Sequence, residues 1–229
     1  MLLPALAKPP LSYLLQKCWQ VIAAIRSPAQ ETELSNLHGV ILIRLDVTNL
    51  EQINDTVQKA LALWPVDVVF NNAGYGLAGP LEGTSDEQLQ QEIDTNLLGV
   101  LRVTKAFLPS FRERRSGLFI TTASIAGLVT FPFNSVYHAT KWALEGWSES
   151  LAFELNKFGI GVKTISPGGI TTDFAGKSLV VANHPAYGPL MEKAQKVFMD
   201  PKRRANASTA EQIAEVVYEA ATDGKSTLR

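Results

Sequence analysis

The chain has 229 residues, of which 46% are hydrophobic and 19% charged, values typical of a globular protein able to bury a large core. Its 21 basic and 22 acidic residues leave a net charge of −1, which gives no electrostatic case for nucleic acid or an anionic membrane as partner. The one cysteine, Cys18, can form neither an internal disulfide nor a cysteine-based zinc site. There are 16 glycines, and the first is Gly39.

The opening stretch, residues 1–10, is apolar but has no basic n-region and is interrupted by Pro4, Pro9 and Pro10. It therefore reads as neither a signal peptide nor a span, and no apolar run approaches the roughly 18 residues a span needs, so a cytoplasmic location is expected. Residues 11–20 can supply some helix. Apolar, β-branched runs then recur at 21–25, 40–45, 66–70, 118–122 and 162–165, as expected of parallel strands buried on both faces. Amphipathic stretches separate them. The capping signals Thr48-x-x-Glu51, Ser85-x-x-Gln88 and Ser208-x-x-Glu211 predict helix starts, and a further helix falls within 133–158. Alternating β and α units predict one α/β domain over 1–229, a doubly wound parallel sheet of Rossmann-like form. Ligands of such a sheet sit beyond the carboxyl ends of its strands.

The chemistry gathers at those ends. Tyr137 and Lys141 lie four residues apart, on one face of a helix. An ammonium beside a phenol favours phenolate and would lower the tyrosine pKa from about 10 towards neutrality, making it a usable acid or base. Alone, this spacing is common. Here Asn71-Asn72-Ala73-Gly74, Ser124 and Pro167-Gly168-Gly169-Ile170-Thr171-Thr172 each follow a predicted strand, so independent features meet at one edge of the sheet. The three histidines show no metal-ligand spacing. Trp142 and Trp147 are expected to pack.

From about Trp19 onward the chain resembles the short-chain dehydrogenase/reductase family. The match rests on Asn71-Asn72-Ala73-Gly74, Asn96, Ser124, Tyr137-xxx-Lys141 and Pro167-Gly168-xxx-Thr172, in family order. The resemblance implies a hydride transfer between a nicotinamide and a carbonyl or alcohol, with Tyr137 as acid/base and Lys141 tuning it and binding the nicotinamide ribose. Ser124 would bond the substrate oxygen, and Asn96 would hold a water leading from Lys141 to solvent. For the cofactor it implies contacts from Asp46 and Val47 to adenine, and from Asn72, Ala73 and Gly74. Pro167, Gly168, Ile170 and Thr172 would serve the nicotinamide end. Arg26 stands where NAD-selective relatives carry an acid, and a guanidinium suits a 2′-phosphate, so NADP(H) is preferred to NAD(H). The segment 174–201 has the place of a substrate lid, and its apolar residues suggest a lipophilic substrate. The helices near 85–115 and 134–158 imply a homodimer or homotetramer.

The sequence departs from the family at its start. Residues 1–18 are atypical and lack the strand and Gly-rich loop that relatives use to cradle pyrophosphate. In relatives that strand lies between the ones here at 21–25 and 66–70. Three readings stay open: an active NADP-dependent oxidoreductase, a chain shortened relative to the family, and a cofactor-deficient binding or scaffold relative.

Overall fold

The computed structural model describes residues 8–170, 178–198, 200 and 207–229. In chain order these form α1 (Lys8–Gln16), β1 (Val21–Ile25), β2 (Val40–Arg44), α2 (Leu50–Leu63), β3 (Val68–Asn71), β4 (Gly76–Ala78), α3 (Asp86–Ile93), α4 (Gly99–Arg114), β5 (Gly117–Thr122), α5 (Ser135–Leu155), β6 (Ile160–Ile165), β7 (Leu179–Val181), α6 (Gly188–Phe198) and α7 (Ala210–Thr222). A π-helical turn, Asp94–Leu98, joins α3 to α4.

All the strand pairs are parallel, as the apolar runs predict. The main sheet is in two pieces. β2 pairs with β1, and β3, β5 and β6 form a second ladder in that order, with no strand among the described residues between β1 and β3. The small β4–β7 pair stands apart. Helices bridge the division on both faces. One face carries α2, α4 and α5, whose Ile53, Val57, Phe107 and Leu151 join Ile22 and Ala24 of β1 and Val69 of β3 in one apolar cluster. On the other face, α1 packs Leu11 and Leu14 against Val21 and Ala23, while α7 packs Ile213 and Val217 against Phe70 and Ile120. Edge-on ring contacts of Tyr13 and Trp19 with Tyr218 lock α1 to α7.

A cavity of about 590 Å³ remains between the two pieces, lined by Ala24, Val57, Ala60, Val69 and Phe107 among others. The pairing registers direct the N–H and C=O of Ala24 away from β2, and those of Val68 and Phe70 away from β5. Among the described residues, no backbone bond reaches them.

Two predicted caps shift by one residue. Asn49, not Thr48, caps α2 and accepts from Gln52 N, because Thr48 donates its hydroxyl to Asp46 at 2.7 Å. Thr209 with Gln212, not Ser208 with Glu211, closes the box on α7. The Ser85–Gln88 box forms as predicted. After α4, Gly117 at φ +156° cannot be replaced, since a Cβ there would lie 2.1 Å from the Phe111 ring. Trp147 packs on the core, but Trp142 is 49% exposed, so the packing expectation fails for it.

Candidate active site

β5 ends at Thr122 and its chain runs through Ala123 to Ser124, which caps a short 3₁₀ turn by accepting from Ala126 N at 3.1 Å. Ile125 N donates to Pro167 O at 2.9 Å, tying this turn to the one after β6. His138 pins the same loop from α5: its Nδ1 meets Ala126 O and its Nε2 accepts from Phe131 N at 2.8 Å. The buried His138 thus holds backbone in place.

Tyr137 and Lys141 sit one turn apart on α5. The Ser124 hydroxyl lies near enough to the Tyr137 phenol to act on its proton affinity. Lys141 Nζ donates to Thr122 O at 2.9 Å and lies 5.7 Å from the Tyr137 ring centre. The structure therefore brings Ser124, Tyr137 and Lys141 together from β5 and α5.

Asn96 joins them from the π turn, where one extra residue per turn re-aims its side chain inward. Its Oδ1 accepts from Tyr75 N at 2.9 Å, and its Nδ2 donates to Tyr75 O and to Glu92 Oε1, both at 2.8 Å. Gly74 lets these groups converge, because a Cβ there would lie 3.1 Å from Asn96 Oδ1 and 3.8 Å from Lys141 Nζ.

The electrostatics differ from the expectation. Burial pushes the Tyr137 phenol up rather than down, and the Glu92 charge adds to the rise; only the Ser124 hydroxyl opposes them. Lys141 is itself lowered to about 8 by burial, against the attraction of Glu92 and Glu145. Glu92 is raised to about 8 by burial, with Lys141 pulling the other way.

Sequence reading missed three polar groups here. Glu92 is buried one turn before Asn96 on the same helical face, a spacing that could have flagged it. Glu145 lies four residues beyond Lys141, where its buried carboxylate accepts from Thr164, Ser166 and Arg229. Tyr75, whose phenol burial and Glu92 push up, carries no such spacing signal.

The residues expected to meet a dinucleotide divide into two groups. At the nicotinamide end, Lys141, Gly74, Pro167 and Gly168 line one edge, and nothing lies within 4 Å of a Cβ built on Gly168. Asn72 Oδ1 accepts from Thr122 at 2.7 Å, while its buried Nδ2 has no partner among the described residues. Ala73 is half-buried, and Ile170 bridges to Ser208. This end has an open edge at Gly168, while the Asn72 amide is buried. At the other end Arg26 is exposed just past β1, and Asp46 accepts from Thr48. Val47 is buried against Gly99, so its side chain serves the core. The first turn of α1 carries Pro9 and Pro10, which have no N–H to offer a pyrophosphate. The open edge beside Lys141 and Gly168 has room for the group expected there; the α1 terminus does not fit as a phosphate cradle. Thr172 lies outside the described residues, as do 174–177, 199 and 201 of the predicted lid, whose residues 178–198 and 200 are described.

A serine, a tyrosine and a lysine thus converge at the carboxyl edge of a parallel α/β sheet, and known proteins share this architecture. The short chain dehydrogenase profile matches residues 12–179. An uncharacterised oxidoreductase of Schizosaccharomyces pombe is 38% identical, over 90% of this chain and 86% of its own. Human retinol dehydrogenase 8 is 36% identical over 88% of this chain and 68% of its own. A crystal structure of a short-chain dehydrogenase from Streptomyces avermitilis superposes with a TM-score of 0.87 at 29% identity, covering 98% of this chain and 82% of that one. The closed form of a serine dehydrogenase complexed with NADP+ gives 0.81 at 28% identity, covering 95% and 85%. The chain belongs to the short-chain dehydrogenase family, whose members are NAD(P)-dependent oxidoreductases. Among the described residues no helix is long and apolar enough to cross a membrane.

Proposed function

We propose that this protein interconverts a lipophilic carbonyl compound and its alcohol using NADP(H), with Tyr137 as the acid/base. The observation that carries this is the meeting of Ser124, Tyr137 and Lys141 at one sheet edge. When bound, the nicotinamide supplies or accepts the hydride. Lys141 would hold its ribose, and Pro167, Gly168 and the Ile170 backbone would flank its ring. Ser124 donates a hydrogen bond to the substrate oxygen, and Tyr137 delivers the proton to that oxygen or removes it. A raised phenol pKa keeps the proton on Tyr137 until negative charge develops on the substrate, which suits reduction. Lys141, placed by Thr122 O, stabilises the phenolate that remains.

The exposed Arg26 supports NADP(H), with no acid beside it to favour a ribose hydroxyl. Exposed apolar side chains beside Ser124 (Leu128, Val129) and on the segment past β7 (Leu190, Val197, Phe198) support a lipophilic substrate. The similarity to a retinol dehydrogenase points the same way. Phe153, 80% exposed on α5, supports pairing of copies through the long helices as a homodimer or homotetramer.

A second reading, a cofactor-deficient binding protein, is favoured by Pro9 and Pro10 at the α1 terminus and by the divided sheet. Fluorescence titration of the full chain with NADPH and NADH separates the two. Saturable NADPH binding that Arg26→Ala weakens about tenfold, with NADH binding unchanged, is the expected result. No NADPH binding at millimolar concentration overturns the oxidoreductase reading in favour of the second.

A further inference from the structure

By resemblance, Asn96 is to hold a water linking Lys141 to solvent, but its amide hydrogens are already placed. Both point to fixed oxygens, Tyr75 O and Glu92 Oε1, each at 2.8 Å. A water taking a hydrogen from Nδ2 would have to break one of these bonds. On the Asn96 side of this corner Glu92 Oε2 is buried and has no hydrogen-bond partner among the described residues, the Tyr75 phenol being the side chain nearest to completing one.

A bare carboxylate oxygen in such a place is costly, and a proton on it removes the charge and creates a donor. The groups facing Glu92 are known from each side. Lys141 and Tyr137 face it from α5, Tyr75 from the turn before β4, and Asn96 from the next turn of its own helix. Glu145 faces Lys141 as well.

We propose that Glu92 is the proton store behind Lys141 and Tyr137, a positioning residue that acts through Lys141. In reduction, the Tyr137 O–H bond breaks as its proton goes to the substrate oxygen. The phenolate takes a proton from the Lys141 ammonium, and the neutral amine takes one from Glu92 Oε2–H through a bridging water. The Glu92 carboxylate then recovers a proton from solvent. Each proton lost by one group is gained by the next, and the net proton comes from water. This rests on the acid/base role proposed above for Tyr137.

Glu92→Gln keeps an oxygen to accept from Asn96 but cannot carry the proton, and its melting temperature checks that the fold is retained. Infrared titration of the full-length chain should show a protonated-carboxyl band that persists to neutral pH, disappears in Glu92→Gln, and titrates at higher pH in Lys141→Met. With NADPH and all-trans-retinal as probes, Glu92→Gln should lower kcat about tenfold, leave both KM values within about twofold, and remove one ionisation from the kcat pH profile. Glu92 ionised throughout about pH 5 to 9 overturns the proposal whatever the activity. So does an unchanged kcat and pH profile in Glu92→Gln. If retinal is not turned over, the infrared titration decides alone. If Tyr137→Phe stays active while the Glu92 band is present, the acid/base reading fails and the buried acid stands.

Discussion

The two pieces of the sheet are built to different standards. In the β3–β5–β6 ladder the central strand β5 is paired on both sides, and the C-terminal Leu228 carbonyl accepts from Thr164 N at the far edge. The residues that converge on Tyr137 come from this ladder and from the helices packed on it. Among the described residues the β1–β2 pair forms no ladder with it and is joined to it through helices and shared apolar packing, across a cavity of about 590 Å³. Arg26 and the α1 terminus, expected to meet the adenosine and phosphate end of a cofactor, belong to this second piece. The proposed catalytic residues are thus supported independently of the piece expected to meet the cofactor's distal half, and the two can be broken separately.

The largest effect should come from Tyr137→Phe. It should reduce turnover at least about a thousandfold while NADPH affinity stays within about threefold, read by initial rates and fluorescence titration. A parallel loss of binding would show that the two halves are not independent.

Next is the pH dependence of stability within the β3–β5–β6 piece. Glu92 is raised from 4.5 to about 8, so between those values the folded state binds more protons than the unfolded. Stability from this group is full below about pH 4.5 and is lost as pH rises towards 8. Lys141, lowered from 10.5 to about 8, acts oppositely: stability rises again between about pH 8 and 10.5. Urea unfolding should show a minimum near pH 8. Glu92→Gln should abolish the acid-side loss, a difference on the order of a few kcal/mol. A flat wild-type profile from pH 5 to 8 would contradict the burial of Glu92 against Lys141.

The smallest effect is dynamic. The amides of Ala24, Val68 and Phe70, directed away from their paired strands, should exchange hydrogen about ten- to a hundredfold faster than those of Phe119 and Ile120. Equal protection would show that the sheet is continuous.

Much of this was legible in the sequence because it is written locally. The apolar runs at 21–25 and 118–122 are strands on their own hydrophobicity, and Ser85 with Gln88 closes a helix start through bonds three residues apart. Tyr137 and Lys141 share a face because helical geometry dictates it. Thr48 and Ser208 misled because a cap is chosen by competition: Asp46 captured the Thr48 hydroxyl, and the next residue took the cap.

The chain's own order of residues determined the α/β alternation, the family and the set that meets at the carboxyl edge, since each rests on spacing within a few residues or on strand ends. The lack of a strand between the runs at 21–25 and 66–70 was already expected from the residues at the start of the chain, and only the tertiary structure decided that helices bridge the resulting gap over a cavity. It also decided that Tyr137 is raised rather than lowered, and that Glu92 lies bare behind Asn96. Those outcomes depend on desolvation and on partners brought from distant positions, 75 to 96 and 92 to 141, which no local pattern encodes.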